Sequence, residues 1–389
     1  MPATARRGRN SYRRERNPVP AGGYRCDAAV MTPINHEDAY DPFDRGRVPV
    51  GVATIHANDQ ARDRIFPYEV WYPAAEHHAG QDLAADTQDA FTLAPGNAPR
   101  RQAAVRDAAP RPGRYPLVVF SHQSGGYRCS ATFLCTHLAS HGYMVAALDH
   151  SEVVTPELRR DGGLAIEQRV AGSIAGRVPD VRFLLDQLLG GAGWSSPATP
   201  DPHAVGIIGH SFGGWTALAT PDVEPRIRAV VALAPGGSSR PLPGMIPATL
   251  EFGWGRDVPT LYLVAERDTF TPLAGMYELL DRTPATRQLV VLRRADHLHF
   301  IDDVEHEHEA VRAMSFSGEA AWIPAAMPPI AELCPGAQAH LFNRGLALCH
   351  LDATLRGHEP ARRLLAGDVE ATLADRGVDV MSTPRIASP

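Results

Sequence analysis

The chain has 389 residues, 44% hydrophobic and 21% charged, which is the make-up of a globular protein long enough to bury a core without disulfide or metal staples. Its net charge is −6, and the marked basic cluster, Arg6 to Arg25, lies in the first thirty positions, so the body lacks the basic face that nucleic-acid binding requires. No apolar run approaches the ~18 residues of a membrane span, and five cysteines without a CxxC pair read as free thiols of a reducing, cytoplasmic setting.

In chain order, residues 1–40 read as a disordered Arg-rich leader, broken by Asn17-Pro18 and Gly22-Gly23, with Met31 as an alternative start. The remainder, 41–389, reads as one domain. Positions 48–55 and 68–72 form an N-terminal antiparallel strand pair around a polar turn. Positions 77–114, rich in Ala, Asp, Pro and Arg and without period, are expected to be a polar surface insert. From Pro116 the pattern changes. Strands at 117–120, 143–148, 205–208, 227–233, 260–264 and 289–292 are short continuous apolar runs, the mark of burial on both faces. Helices are expected at 130–140, 180–189 and 212–219 between them. Strands alternating with helices predict an α/β fold with a mostly parallel central sheet. Ligands of such sheets bind beyond the carboxyl ends of the strands. The tail reads as a helix over 341–355, ended by Gly357, and one more over 360–378.

The chemistry is expected at those carboxyl ends. Gly209-His210-Ser211-Phe212-Gly213 follows a buried strand and opens a helix. This is the context in which a GxSxG serine sits on a strained turn as a nucleophile. An acid and a base should follow, in that order, after later strands. Asp268 lies in the loop after 260–264, with Glu266 as its neighbour. His297 follows 289–292, with His299 as the competitor for the base. Phe212 N–H supplies one oxyanion donor at the helix start. The loop Ser121-His122-Gln123-Ser124-Gly125-Gly126 supplies the other, from Ser124 or Gln123. The segment 236–257, with Met245, Ile246, Leu250, Phe252 and Trp254, is either a pocket-lining insert or a cover for the sheet edge. The histidines and glutamates between His299 and Glu309 alternate around a helix and read as a solvated helix start rather than a metal site. No cofactor and no metal is implied.

These residues carry a resemblance. Val70-Trp71-Tyr72-Pro73, the run from Pro116 to His122, Leu138 to Tyr143 leading into His150, and Gly209 to Gly214 are similar to α/β-hydrolases. More narrowly, they resemble the platelet-activating-factor acetylhydrolase-like and dienelactone-hydrolase-like esterases. The resemblance implies Ser211 as nucleophile, backbone donors at Ser124 and Phe212, and a histidine in an HxxF context, which His297 and Phe300 match. Three positions depart from the pattern. Gln123 stands where the family has glycine, and a positive φ there would cost about 1–2 kcal/mol. The loop 232–236 lacks the acid that acetylhydrolases place there, so the acid falls one strand later, at Asp268. Ser211 replaces the cysteine of true dienelactone hydrolases. The expectation is a serine hydrolase of small or lipid-like carboxylic esters. An acyltransferase or peptidase with the same triad, or a non-catalytic binding protein on the same fold, are the alternatives. Oligomeric state has no signature in the sequence.

Overall fold

The computed structural model describes residues 40–92, 98–191 and 193–388, so the expected leader falls outside the described residues except for Tyr40. The chain opens with β1 (Val50–Asp59) and β2 (Arg64–Pro73), an antiparallel pair around the polar turn. The short β3 (Asp89–Phe91) and β4 (Arg100–Gln102) pair with each other, and β5 (Val105–Arg106) runs alongside β1. Then β6 (Gly113–Ser121), α1 (Thr132–Ser140), β7 (Met144–Leu148), α2 (Ser151–Val154), α3 (Ile166–Leu189), β8 (Ala198–His210) and α4 (Phe212–Ala219) build the centre. After β9 (Ile227–Leu233) come β10 (Thr260–Ala265), α5 (Leu273–Arg282) and β11 (Arg287–Leu292). The last elements are α6 (Val304–Arg312), α7 (Ile323–Ala326), α8 (Gly336–Leu355), α9 (Glu359–Ala366), α10 (Val369–Ala374) and β12 (Val380–Ser382).

Ten strands form one sheet in the order β12-β11-β10-β9-β8-β6-β7-β2-β1-β5. From β7 to β11 every pairing is parallel, and the flanking β2 and β12 join antiparallel. The continuous apolar runs are explained by two faces of burial. Val118, Phe120, Ile208 and Val231 point to one face, where Leu134 and Leu138 of α1 and Phe342 and Leu346 of α8 cover them. Leu117, Val119, Ile207 and Val230 point to the other, under Leu184 and Leu188 of α3, Trp215 of α4 and Leu279 of α5. The strand order reverses direction at β6, between β7 and β8, which leaves a crevice at the carboxyl ends of β6 and β8. This is the α/β-hydrolase arrangement expected from the sequence.

Three segments differ from expectation. Residues 77–114 are not a plain surface insert. Asp82, Asp89 and Gln102 are buried, and the polar residues bond one another. Trp71 Nε1 donates to Gln102 Oε1 (2.6 Å), Gln102 Nε2 to Asp89 Oδ2 (2.7 Å), and Arg106 joins Asp89 and the buried Glu69 (2.8 and 2.6 Å). A polar network has no apolar period, which is why the pattern read as surface. Helix α3 starts at Ile166, well before the expected 180, and carries Pro179 within it. Its first half has no buried apolar stripe; Ser173 and Arg177 are the buried residues there. The single helix expected over 360–378 is two, interrupted at Gly367, with Asp368 Oδ1 accepting Ala371 N–H (2.8 Å) to start the second.

Candidate active site

Ser211 joins β8 to α4 with φ +58° and ψ −116°, a conformation disfavoured for a residue with a Cβ and costing about 1–3 kcal/mol. The turn is tight enough to dictate its glycines. A Cβ at Gly209 would lie 1.9 Å from Gly213 O, and one at Gly213 would lie 2.0 Å from Ser121 O. The strain is held from both sides: Ser211 N–H donates to Leu233 O (2.9 Å), and Ser211 O accepts from Trp215 and Gly236 N–H (3.0 and 2.9 Å). The Ser211 side chain is left facing the crevice, with no hydrogen bond to any protein group among the described residues.

Asp268 follows β10 in the loop before α5. Its Oδ1 accepts the N–H groups of Phe270 and Thr271 (2.9 and 2.7 Å), which fixes the carboxylate. His297, after β11, presents Nδ1 to Asp268 Oδ2 and Oδ1 (2.9 and 3.0 Å). The imidazole is steadied by Phe270, stacked at 4.8 Å between centroids, and lines the same cavity as Ser211. Buried Asp296 sets the turn that carries it, accepting from His297 N–H (2.7 Å) and from both polar groups of Thr269 (2.7 and 2.9 Å). Burial, and next the Asp268 carboxylate nearby, raise the Asp296 carboxyl above its ordinary range. Neither Asp296 nor Thr269 is singled out by its residue type; only the fold gives them this work.

His299 points away. Its Nε2 donates to Cys334 O (3.1 Å) and its Nδ1 accepts from Asp296 N–H (3.2 Å), and burial pushes the imidazole down to about 4. One residue separates it from His297, but a turn of 3-10 helix at His297–Phe300 replaces the extended segment that would have aimed both alike. His308 does not sit on a solvated helix start either: it is buried and donates to Pro328 O (2.8 Å). Glu266 is not among the residues lining the cavity and accepts Arg294 N–H (2.9 Å).

The loop after β6 lies against the same crevice, where Gln123, Ser124, Gly125 and Phe212 line the cavity with Ser211. Neither Ser124 N–H nor Phe212 N–H donates to a protein group among the described residues. Gln123 has a negative φ; the positive one (+73°) falls at Gly125, so the side chain at 123 carries no backbone strain. Its Oε1 is buried and has no partner among the described residues.

The cavity is about 1350 Å³. One wall is the first part of the 236–257 segment, including Pro241, Met245 and Ile246, while Leu250, Phe252 and Trp254 turn into the core beneath it. The other walls come from the start of α3 (Ile166, Val170) and from Met314, Phe316 and Ile323. Glutamate and arginine side chains occur on both sides, Glu152, Glu307, Arg159 and Arg169 among them.

A second serine–histidine–aspartate set lies under the floor of the crevice. Ser121 Oγ meets His150 Nε2 (2.8 Å) and His150 Nδ1 meets Asp180 Oδ2 (3.1 Å), all three being sealed from solvent. Asp180 also accepts from Ser151 N–H (2.7 Å), Ser151 Oγ (2.8 Å) and Arg62 Nη1 (2.6 Å). Beside it, Arg177 is fully buried. Nothing in the apolar periodicity foreshadows a buried arginine.

The comparisons agree with the fold. The family model described as platelet-activating factor acetylhydrolase, isoform II, matches residues 54–159, a span that ends before Ser211. The platelet-activating factor acetylhydrolase of Cavia porcellus is 27% identical over 45% of this chain and 48% of its own. Cutinase est1 of Thermobifida alba is 23% identical over 50% of this chain and 56% of its own. The chain therefore spans about half the length of the curated relatives it matches. A solved ferulic acid esterase from Streptomyces cinnamoneus is 25% identical, with a TM-score of 0.54 over 80% of this chain and 91% of that one. Among the described residues no helix is long and apolar enough to cross a membrane. The chain thus has an α/β-hydrolase fold and is similar to platelet-activating factor acetylhydrolases and to solved and curated esterases.

Proposed function

We propose that the protein hydrolyses carboxylic esters through an acyl-enzyme on Ser211. The observation that carries the reading is convergence. A strained serine with a free hydroxyl, an imidazole held by a fixed carboxylate, and two undonated N–H groups from different loops all border one cavity. Ser211 Oγ attacks the acyl carbon while His297 Nε2 takes its proton. The carbonyl oxygen becomes an oxyanion facing the Ser124 and Phe212 N–H groups, each such donor being worth about 3–4 kcal/mol in the transition state. The intermediate collapses, and the imidazolium returns the proton to the departing alkoxide. Water then repeats the attack, with His297 as base, and the acid leaves. Asp268 keeps the proton on Nδ1 and stabilises the imidazolium. The absence of a Ser211–His297 hydrogen bond suits this role, since catalytic contacts are often loose until substrate closes the site.

A cavity of about 1350 Å³, lined by Met245, Ile246, Phe270, Leu298 and Phe316, favours an ester with a bulky apolar acyl or alcohol part. Four described cysteines are buried and unpaired, which suits a reducing compartment. The test is active-site labelling with a fluorophosphonate alongside hydrolysis of a graded series of p-nitrophenyl esters. Labelling of Ser211 with turnover, lost in Ser211→Ala, is expected. No labelling and no turnover would favour a binding protein. Labelling with transfer to an added amine or alcohol in place of hydrolysis would favour an acyltransferase.

A further inference from the structure

Arginine inside a protein is costly, because several kcal/mol of hydration must be replaced by partners. Arg177 of α3 is fully buried and meets that cost in an unusual way. One carboxylate, Glu152, accepts from Nε (2.9 Å) and Nη2. The remaining donors go to the oxyanion loop: Nη1 to His122 O and Nη2 to Gln123 O (3.2 Å). The face of the guanidinium lies 4.2 Å from the centre of the Phe212 ring.

The carbonyl at Gln123 and the N–H at Ser124 belong to one peptide unit. That carbonyl also accepts from His122 Nδ1 (2.7 Å) and Gly126 N–H (3.0 Å). Donors at a carbonyl draw charge from the amide and make its N–H a stronger donor. The same guanidinium rests on Phe212, whose N–H is the second free donor. One side chain thus bonds the peptide that carries the Ser124 N–H and packs on the side chain of the residue that carries the other donor.

We propose that Arg177 is a positioning residue of the oxyanion hole. Its planar fork holds the 122–124 loop and Phe212 so that the Ser124 and Phe212 N–H groups face one point. This rests on the reading of Ser211 as nucleophile given above. A lysine keeps the charge, but a single ammonium group lacks the fixed fork that serves two carbonyls and Glu152 together.

The experiment compares the full chain with Arg177→Lys and Arg177→Met. Steady-state hydrolysis of p-nitrophenyl butyrate is measured, with inhibition by a trifluoromethyl ketone, which forms a tetrahedral oxyanion adduct on serine. Thermal melting checks that each variant is folded. Expected are a fall in kcat of about 10-fold for Lys and about 100-fold for Met, KM within threefold of wild type, and inhibitor Ki raised by matching factors. A purely structural arginine would alter melting without this parallel loss. If Arg177→Met does not fold, Arg177→Lys alone decides. A folded Arg177→Lys with kcat and Ki within twofold of wild type overturns the proposal, as does a loss that falls on KM alone. Wild type that is not labelled at Ser211 by a fluorophosphonate would instead overturn the underlying reading.

Discussion

Two serine–histidine–aspartate sets occur among the described residues; both join histidine Nδ1 to a buried aspartate, and they differ at the serine. In the sealed set, Ser121, His150 and Asp180 form an unbroken chain of hydrogen bonds, and every member is buried. In the open set, His297 is bound to Asp268, but the Ser211 hydroxyl bonds no protein group among the described residues. The sealed serine ends a regular strand; the open one is held at φ +58° on a turn that excludes any side chain from Gly209 and Gly213. The undonated Ser124 and Phe212 N–H groups belong to residues that line the same cavity as Ser211, whereas Ser121, His150 and Asp180 are not among the residues lining that cavity. A complete hydrogen-bond chain therefore marks the set that ties the fold together. An unfinished one, with stored backbone strain, marks the set proposed to act.

The sharpest way to break this comparison is at the serines. Ser211→Ala should lower ester hydrolysis by about 10⁶-fold, or to the assay floor, and abolish fluorophosphonate labelling. Labelling that persists in that variant would move the nucleophile elsewhere. Next in size is Asp268→Asn, expected to lower kcat by about 10⁴-fold. The amide oxygen still accepts the Phe270 and Thr271 N–H groups, so the loop is kept. Its NH₂ then faces Nδ1, which forces the proton onto Nε2, where the base must be empty. Unchanged kcat would remove Asp268 from the proposed triad, and the same assay on Glu266→Gln would ask whether that neighbouring carboxylate replaces it.

How far the sequence foretold this follows from what each residue's neighbours are. The sheet was legible because strands buried on both faces must be apolar throughout. Ser211 was legible because the turn allows only small flanking residues, and Asp268 because it follows a buried strand. The sequence favours His297 over His299 by its place after the strand and by the HxxF resemblance; the turn that Asp296 caps sets the two rings apart, with His297 against Asp268 and His299 against Cys334 O. Arg177, Glu152 and the 77–114 network were hidden because each is a polar group satisfied by another polar group far away in sequence, and such pairing leaves no periodic trace.

The two histidines make a third prediction, one of stability. His299 has its folded pKa pushed down to about 4 by burial, against about 6.5 in an unfolded chain. Above pH 6.5 both states hold it neutral and nothing is lost. As pH falls from 6.5 toward 4 the unfolded chain takes up a proton that the folded one refuses. Stability then drops by about 3 kcal/mol in total, at 1.36 kcal/mol per unit. His299→Gln keeps a donor for Cys334 O and cannot titrate. Urea unfolding at pH 7.5 and pH 4.5 should show a smaller acid loss in that variant than in wild type. An equal loss in both would place the acid lability elsewhere.

The smallest effect tests the sealed set itself. Ser121→Ala removes the donor to His150 Nε2 and leaves a buried ring nitrogen without a partner, at a cost of about 1–2 kcal/mol. The backbone at 121 is unchanged, so the close approach of Gly213 to Ser121 O survives and with it the Ser211 turn. Melting should fall by about 1–3 °C, while the rate of fluorophosphonate labelling stays within twofold of wild type. A labelling rate that collapses with Ser121→Ala, in a chain that still melts cooperatively, would mean that the buried histidine is coupled to the site. The route would be short: His150 N–H donates to His122 Nε2 (3.2 Å), and His122 Nδ1 donates to the Gln123 carbonyl behind the Ser124 donor. Retention of the rate would confine that chain of contacts to holding the loop in place.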